Sequence, residues 1–338
     1  MLKIAIISIN QPSLDSATRL QTYLREYQID IYGKKGLVHS LSNFIAYDVI
    51  EEVFANGWKR YDVFICILAM GIVVRKIAPF LASKESDPAI LVMSIDLLKV
   101  VPLLSGHIGG ANELSNTIAS RISGCSNFIS TATDQVGAFA FDIFAKKNGM
   151  QIENMEKLAN ISNRLINKQS VKVATYESIF ESIEDKTNLE WVKKEDIDEN
   201  TVIINPLGKS DKLHLKPKIY LGIGCNRNTS FEELESAFFA FLKRYNLAID
   251  QIENIASFEA KNDEVGLLEF AKKYRFCIKF FKEHEINSLQ VDFSPSSATK
   301  FFGLQGVAEP SSVLLSKYKE LIIPKEILET KITIAGAI

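Results

Sequence analysis

The densest concentration of chemically capable residues is Leu104-Ser105-Gly106-His107-Ile108-Gly109-Gly110-Ala111-Asn112-Glu113-Leu114, which sets three glycines and a histidine between a β-type run and a helix-type run. Glycines permit tight turning and close backbone approach, and free N–H groups at a helix start can receive an anionic oxygen. Ser105, Gly106, Gly109, Gly110 and Asn112 therefore read as a cradle for a carboxylate or an oxyanion. His107 adds an imidazole that titrates near neutrality, able to activate water or protonate a leaving oxygen. A structural turn whose histidine bonds backbone is the competing local explanation. The pattern is neither G-x-G-x-x-G nor a Walker loop.

Three further junctions carry polar groups. Ser130-Thr131-Ala132-Thr133-Asp134 offers hydroxyls from Thr131 and Thr133 and a carboxylate from Asp134. Its expected place is the carboxyl end of a parallel strand, where open α/β sheets bind ligands; a plain helix cap is the alternative. Gly71-Ile72-Val73-Val74-Arg75-Lys76 suggests a glycine turn aiming Arg75 at a carboxylate, unless the basic pair is only a solvated helix face. Gly222-Ile223-Gly224-Cys225-Asn226-Arg227-Asn228-Thr229-Ser230 again joins a strand to a capped helix, with Arg227 and Thr229 suited to an anion. Cys225 is a candidate nucleophile, but a free cysteine is commonly a small buried apolar residue and no histidine lies close in sequence. Ser294 and Ser296, in Asp292-Phe293-Ser294-Pro295-Ser296, and Glu309, after Gly303-Leu304-Gln305-Gly306-Val307-Ala308, complete the set. Glu309 is a possible base or simply a helix-start carboxylate.

The elements that must position these residues alternate along the chain. Leu2–Ile9, Asp62–Leu68, Ala89–Met93 and Val100–Leu104 read as strands. Helical spacing follows the turn at Asn10-Gln11-Pro12, runs from Ile72 to Leu81, and begins again near Asn112. From 151 to 216 the chain is strongly charged, with Gly208 its lone glycine and Glu184–Asn200 especially polar. From Lys218 a new α/β pattern begins, with Ser230 and Glu233 forming a capping-box signature, and later strands expected at 276–280, 321–323 and 332–335. The fold class is α/β: mostly parallel sheets covered by helices, in an amino-terminal α/β domain (1–150), a small middle domain with linker (151–216) and a carboxy-terminal α/β domain (217–338).

The 338 residues are 47% hydrophobic and 24% charged, which excludes dominant disorder. A formal charge of −2 offers no field for nucleic acid. The longest uncharged apolar stretch, Val63–Val74, is too short for a bilayer, and the apolar start lacks a cleavage signature, so a cytoplasmic, non-membrane protein is expected. Cys66, Cys125, Cys225 and Cys277 lie far apart, with no ligand-like spacing, so neither a metal site nor a disulfide scaffold is expected.

Together these stretches resemble the cobalt-precorrin 5A hydrolase family of cobalamin biosynthesis, also called cobalamin biosynthesis protein G. The resemblance rests on Gly71–Pro79, Asp87-Pro88-Ala89, Leu104–Leu114, Thr131–Asp134, Gly222–Cys225, Ser294-Pro295-Ser296 and Gly306–Glu309, in the family's order and over nearly the whole chain. Two departures stand out. Asn226-Arg227-Asn228 replaces the basic pair and glycine that usually follow Gly-Cys, where Asn228 can preserve the turn because asparagine tolerates positive φ. Pro310-Ser311-Ser312 stands where small alanine-rich residues are usual, which suits a first helical turn.

The resemblance implies hydrolytic opening of a lactone on a cobalt-containing tetrapyrrole and release of acetaldehyde. It implies no cofactor, since the cobalt is carried by the substrate. His107 is the first choice of general base, with Asp134 and Glu309 behind it, while Arg75 and Arg227 would meet substrate carboxylates. Other cobalamin-pathway enzymes and a second copy of the chain are the partners to consider. A non-catalytic corrinoid-binding or scaffold protein, and a phosphate-ligand-binding α/β enzyme, remain as alternatives.

Overall fold

The computed structural model describes residues 1–83, 86–289, 291, 293–294, 304–328 and 331–338, apart from the side chains of Asp134, Gln135 and Lys194. The chain divides into two compact units, Met1–Ala138 and Phe139–Ile338.

The first unit is built on strands β1 (Lys3–Ser8), β2 (Gln28–Lys34), β3 (Phe44–Tyr47), β4 (Val63–Ile67), β5 (Ala89–Met93), β6 (Lys99–Leu104) and β7 (Ser126–Asn127). Their order is β3-β2-β1-β4-β5-β6-β7. Helices α1 (Gln11–Tyr23), α2 (Ile50–Gly57), α3 (Met70–Ile77), α4 (Ala111–Arg121) and α5 (Ala132–Val136) connect them. Side chains alternate across a strand, so Ile4 and Ile6 pack with Leu14, Leu20, Leu114 and Ile118 of α1 and α4. Ala5 and Ile7 pack on the other face with Phe54 of α2 and Val73 of α3. Burial on both faces is why β1, β4 and β5 read as unbroken apolar runs. Asn10 starts α1: its Oδ1 accepts from the Ser13 N–H at 2.9 Å, and the Ser13 hydroxyl oxygen accepts from the Asn10 N–H at 3.1 Å.

Strands β1 to β5 are parallel, but β6 is antiparallel to β5, pairing Leu104 with Ile90 and Val100 with Met93. β7 runs parallel to β6. The loop after β6 and the stretch after β7 therefore leave at the edge where β1, β4 and β5 begin. This corrects the expected location of Thr131–Asp134: the junction is at the amino edge of the parallel strands. A two-residue strand carries too little pattern to reveal its direction.

In the second unit, helix α6 (Phe141–Lys147) leads into β8 (Gln151–Glu153), followed by α7 (Leu158–Ile166), β9 (Val171–Thr175), α8 (Glu177–Glu181), β10 (Leu189–Val192), β11 (Val202–Ile204) and β12 (His214–Lys216). The order is β10-β9-β11-β12-β8, with β8 antiparallel to β12. The especially polar stretch Glu184–Asn200 contains edge strand β10. An edge strand has only one paired side and tolerates polar residues.

The last sheet comprises β13 (Ile219–Cys225), β14 (Ile252–Phe258), β15 (Ile278–Phe281), β16 (Leu321–Leu328) and β17 (Ile332–Ala337), in the order β15-β14-β13-β17-β16. Around it lie α9 (Phe231–Tyr245), α10 (Val265–Tyr274), α11 (Glu283–Asn287) and α12 (Ala308–Leu315). The capping box at α9 forms as expected: the Glu233 N–H donates to Ser230 Oγ at 3.3 Å and the Ser230 N–H to Glu233 Oε2 at 2.9 Å. Gly222 is fixed by packing, because a Cβ there would overlap the Ala308 carbonyl and stand 2.7 Å from the Ser312 nitrogen. Only glycine lets α12 lie this close to β13.

Candidate functional site

The Ser105–Gly110 loop folds back on the first turn of α4. The Ala111 N–H donates to the Ser105 carbonyl at 3.2 Å, and the Asn112 N–H to the Gly106 carbonyl at 3.0 Å. Ser105 takes φ 55° and Gly110 φ 85°, both in the left-handed region. A Cβ on Gly109 would stand 2.6 Å from the Ser105 carbonyl oxygen, so the loop closes only with glycine at that position. The expected open amides at the helix start are thus filled by the loop's own carbonyls at Ala111 and Asn112. The Gly110 N–H donates to the His107 carbonyl at 3.0 Å, so His107 is tied into the same turn.

Two other segments reach the loop. The Ser105 hydroxyl donates to the Asp87 carbonyl at 3.0 Å, and buried Asp87 uses its carboxylate to accept the Ala82 N–H at 3.0 Å and the Trp58 indole N–H at 3.4 Å. From the other side, Asn112 Nδ2 donates to Thr131 Oγ1 at 3.2 Å, and Thr133 Oγ1 lies 3.3 Å from His107 Nε2. Asn112 and Thr133 are buried, while His107 is half-buried. The structure therefore brings together His107, Ser105, Gly106, Gly109, Gly110, Asn112, Thr131 and Thr133, with His107 and Thr133 26 residues apart in sequence. Asp87 stands in the sequence only as part of the Asp87-Pro88-Ala89 motif, which by itself assigns it no place in this site; its signal is a carboxylate in Asp-Pro just before a buried strand. The Asp134 side chain lies outside the described residues.

Arg75 is placed differently from expectation. Gly71 is the second residue of α3, not a turn, and the Arg75 guanidinium donates from Nη1 to the Gly71 carbonyl one helical turn back, at 2.9 Å. The Ile72–Val74 pattern continues the helix through Gly71, which overrides the weak helix propensity of glycine.

The first unit also has a hollow of about 350 Å³ at the carboxyl edge of β1, β4 and β5, lined by Asn10, Ser13, Leu68, Ala69 and Ser94 among others. It sits where the chain leaves β1 and β4 toward opposite sides of the sheet, the usual ligand position in such folds. None of its lining residues titrates near neutrality, so it can bind but cannot supply a general base.

In the second unit the loop after β13 is occupied by the protein itself. Arg227 pairs with Asp263, with Glu264 at 3.1 Å, and donates to the Ala260 carbonyl at 2.6 Å. The Asn228 N–H donates to Glu264 Oε2 at 3.0 Å, with Asn228 at φ 59° as the turn requires. Buried Glu264 thus fills the place that a substrate carboxylate was expected to take. Asp263 is held below the usual carboxylate range, first by its hydrogen bond from Arg227. Thr229 is buried and its hydroxyl donates to the Asn226 carbonyl at 2.9 Å. Burial pushes the Cys225 thiol up, away from the thiolate a nucleophile needs. All four cysteines are free thiols.

Glu309 is 3% exposed and accepts three hydrogen bonds: from the Ser294 N–H at 2.7 Å, the Ser294 hydroxyl at 2.8 Å and the Lys325 N–H at 2.9 Å. Ser296 lies outside the described residues. Among the described residues, no three His, Cys, Asp or Glu side chains converge as a metal site, and no helix is long and apolar enough to cross a membrane.

Comparison with known proteins places all three segments. Models of the cobalamin synthesis G amino terminus, the cobalamin biosynthesis central region and the cobalamin synthesis G carboxy terminus match residues 52–134, 139–215 and 219–337. The chain is 30% identical over 305 residues to a cobalt-precorrin-5A hydrolase of Priestia megaterium, covering 82% of this chain and 79% of that protein. It is 29% identical over 281 residues to the Salmonella typhimurium cobalt-precorrin-5A hydrolase, covering 78% and 80%. A solved cobalamin biosynthesis protein G homologue from Sulfolobus solfataricus is 24% identical, with coverage of 99% and 96% and a TM-score of 0.41. With matched models along most of its length and a relative this similar over four-fifths of it, the chain belongs to the cobalamin synthesis G family, that of the cobalt-precorrin 5A hydrolases.

Proposed function

We propose that this chain opens the lactone of cobalt-precorrin 5A and releases acetaldehyde, yielding cobalt-precorrin 5B, with the chemistry at the His107 loop. Family membership supplies the reaction class. The observation that carries the site is the His107–Thr133 contact at 3.3 Å, which orients a half-buried imidazole beside a glycine-closed loop.

In this reading His107 takes a proton from water as the oxygen adds to the lactone carbonyl. Donors of the Ser105–Gly110 loop meet the resulting oxyanion. The carbon–oxygen bond of the lactone then breaks, leaving a carboxylate and an alkoxide. The alkoxide forms the carbonyl of acetaldehyde as its carbon–carbon bond to the ring breaks, and that electron pair passes into the electron-accepting macrocycle. The cobalt is substrate, and the chain contributes proton transfer and oxyanion binding. Anaerobic incubation with cobalt-precorrin 5A and assay of acetaldehyde tests the reaction. Full acetaldehyde release by His107→Gln would remove His107 from it. Tight substrate binding with no acetaldehyde from the unaltered chain would favour a corrinoid-binding role instead.

A further inference from the structure

A hollow of about 670 Å³ opens on the middle sheet of the second unit, within the range of small-molecule sites of roughly 300 to 1,000 Å³. It is lined by the ends of β9 (Thr175, Tyr176), β10 (Val192, Lys193) and β11 (Ile204, Asn205), all at the carboxyl edge of four parallel strands. The chain leaves β9 toward β10 on one side and leaves β11 toward β12 on the other. The crevice between β9 and β11 is therefore a topological switch point, where open α/β sheets take ligands because diverging loops leave a gap no side chain fills.

The walls define what fits. Trp191 is fixed by donating its indole N–H to the Thr175 carbonyl at 2.9 Å, leaving an apolar ring that is 39% exposed. Ile197, 36% exposed, and Leu207 continue that surface. Large apolar groups held open to water in a concave site favour a ring-bearing ligand. Lys193 and Lys209 line the same hollow with no carboxylate partner among the described residues, and Glu195 is the sole acid in the lining. Thr175 Oγ1 donates to the Ile204 carbonyl at 3.0 Å, tying the two central strand ends and keeping the crevice preformed.

We infer that the middle sheet carries a second binding site, at the β9–β11 crevice, for a small ligand that combines a flat ring with a carboxylate or phosphate. The ring lies against Trp191 and Ile197, and the anion meets Lys193 and Lys209. This goes beyond the hydrolytic reaction and does not depend on it.

Trp58 and Trp191 are the only tryptophans, so Trp58→Phe makes emission report on Trp191 alone. The full chain carrying that change is titrated separately with coproporphyrin III and with adenosine monophosphate, and with the uncharged coproporphyrin tetramethyl ester and adenosine. The site predicts saturable quenching by one of the two anions, weaker binding of its uncharged counterpart, and a Kd raised about tenfold by Lys193→Ala with Lys209→Ala. Saturation by the porphyrin identifies a carboxylated tetrapyrrole, and saturation by the nucleotide a phosphate ligand. Calorimetry on the chain with both tryptophans, with and without the lysine pair, gives the same readout without Trp58→Phe. Absence of saturable binding by either anion, or binding unchanged by the two substitutions in a chain of unaltered circular dichroism, overturns the inference.

Discussion

Glu309, at the start of α12, holds both the N–H and the hydroxyl of Ser294 while also accepting the Lys325 N–H of β16. Both carboxylate oxygens are therefore engaged, and the side chain joins three separate segments. Three of the roughly four positions at which a carboxylate can accept are taken, so the geometry makes Glu309 an anchor first. We expect Glu309→Ala to lower unfolding free energy by about 2 to 4 kcal/mol, because three donors lose their acceptor in a buried place. Denaturant unfolding measures that loss. Glu309→Gln should leave the pH profile of acetaldehyde release unshifted, and a displaced acidic limb would restore Glu309 as a titrating catalyst.

Gly109 is required by shape. Gly109→Ala sets a methyl against Ser105 and pushes apart the loop that carries His107. Misplacement of a reacting group by about 1 Å costs on the order of a hundredfold in rate, so on the proposed reaction, with His107 as its base, acetaldehyde release should fall by about that factor with the fold retained. Gly149→Ala is the control: φ is +64° and nothing lies within 4 Å of the added methyl. That change should cost about 1 kcal/mol of stability and leave the rate intact. Equal rates for the two variants would show that the loop's shape does not matter to the reaction.

In the proposed reaction Thr133 supports His107 through the Oγ1–Nε2 contact, so removing its hydroxyl should act through the imidazole. Thr133→Val is expected to reduce kcat about tenfold, while His107→Gln reduces it by at least about a hundredfold. In the double variant the two losses should fall well short of multiplying, since residues in contact couple. Fully multiplicative losses in kcat would separate Thr133 from the histidine.

His214 gives the middle sheet a pH dependence. Its Nε2 lies 2.8 Å from the Asn205 carbonyl, its ring is almost wholly buried, and its Nδ1 is 3.4 Å from Glu153. Burial, the largest influence, lowers its pKa from the ordinary 6.5, and Lys216 adds to the effect while the Asn205 carbonyl and Glu153 oppose it. The folded pKa lies below the unfolded one, so the unfolded chain binds the proton first. Stability should therefore be full above the unfolded value of about 6.5 and decline as the pH falls below it, until the folded pKa is passed. His214→Gln should flatten this part of the curve. Thermal unfolding between pH 7.5 and 5.5, compared for the two chains, checks it, and a parallel fall in both would exclude His214 as the cause.

Much of this was readable from local pattern. Ala89–Met93 was marked as a strand by an unbroken apolar run, and the α9 cap by Ser230 with Glu233, because burial on two faces and orphan amides each demand particular residue types nearby in sequence. The grouping of His107 with glycines likewise needed no fold to notice. What failed locally was direction and competition. β7 is too short to announce that it runs against β1, and Gly71 suggests a turn until its neighbours are seen to continue a helix.

Sequence by itself determined the α/β class, the catalytic candidate His107 and the family, since these rest on residue types and their order. Tertiary structure alone decided which candidates stand together. It set Thr133 beside His107, gave Arg227 to Asp263 and Glu264, and closed the Glu309 carboxylate around Ser294 and Lys325. Contacts between segments tens of residues apart depend on strand order and direction. A charged side chain's availability depends on which internal partner reaches it first, and neither is written in the spacing along the chain.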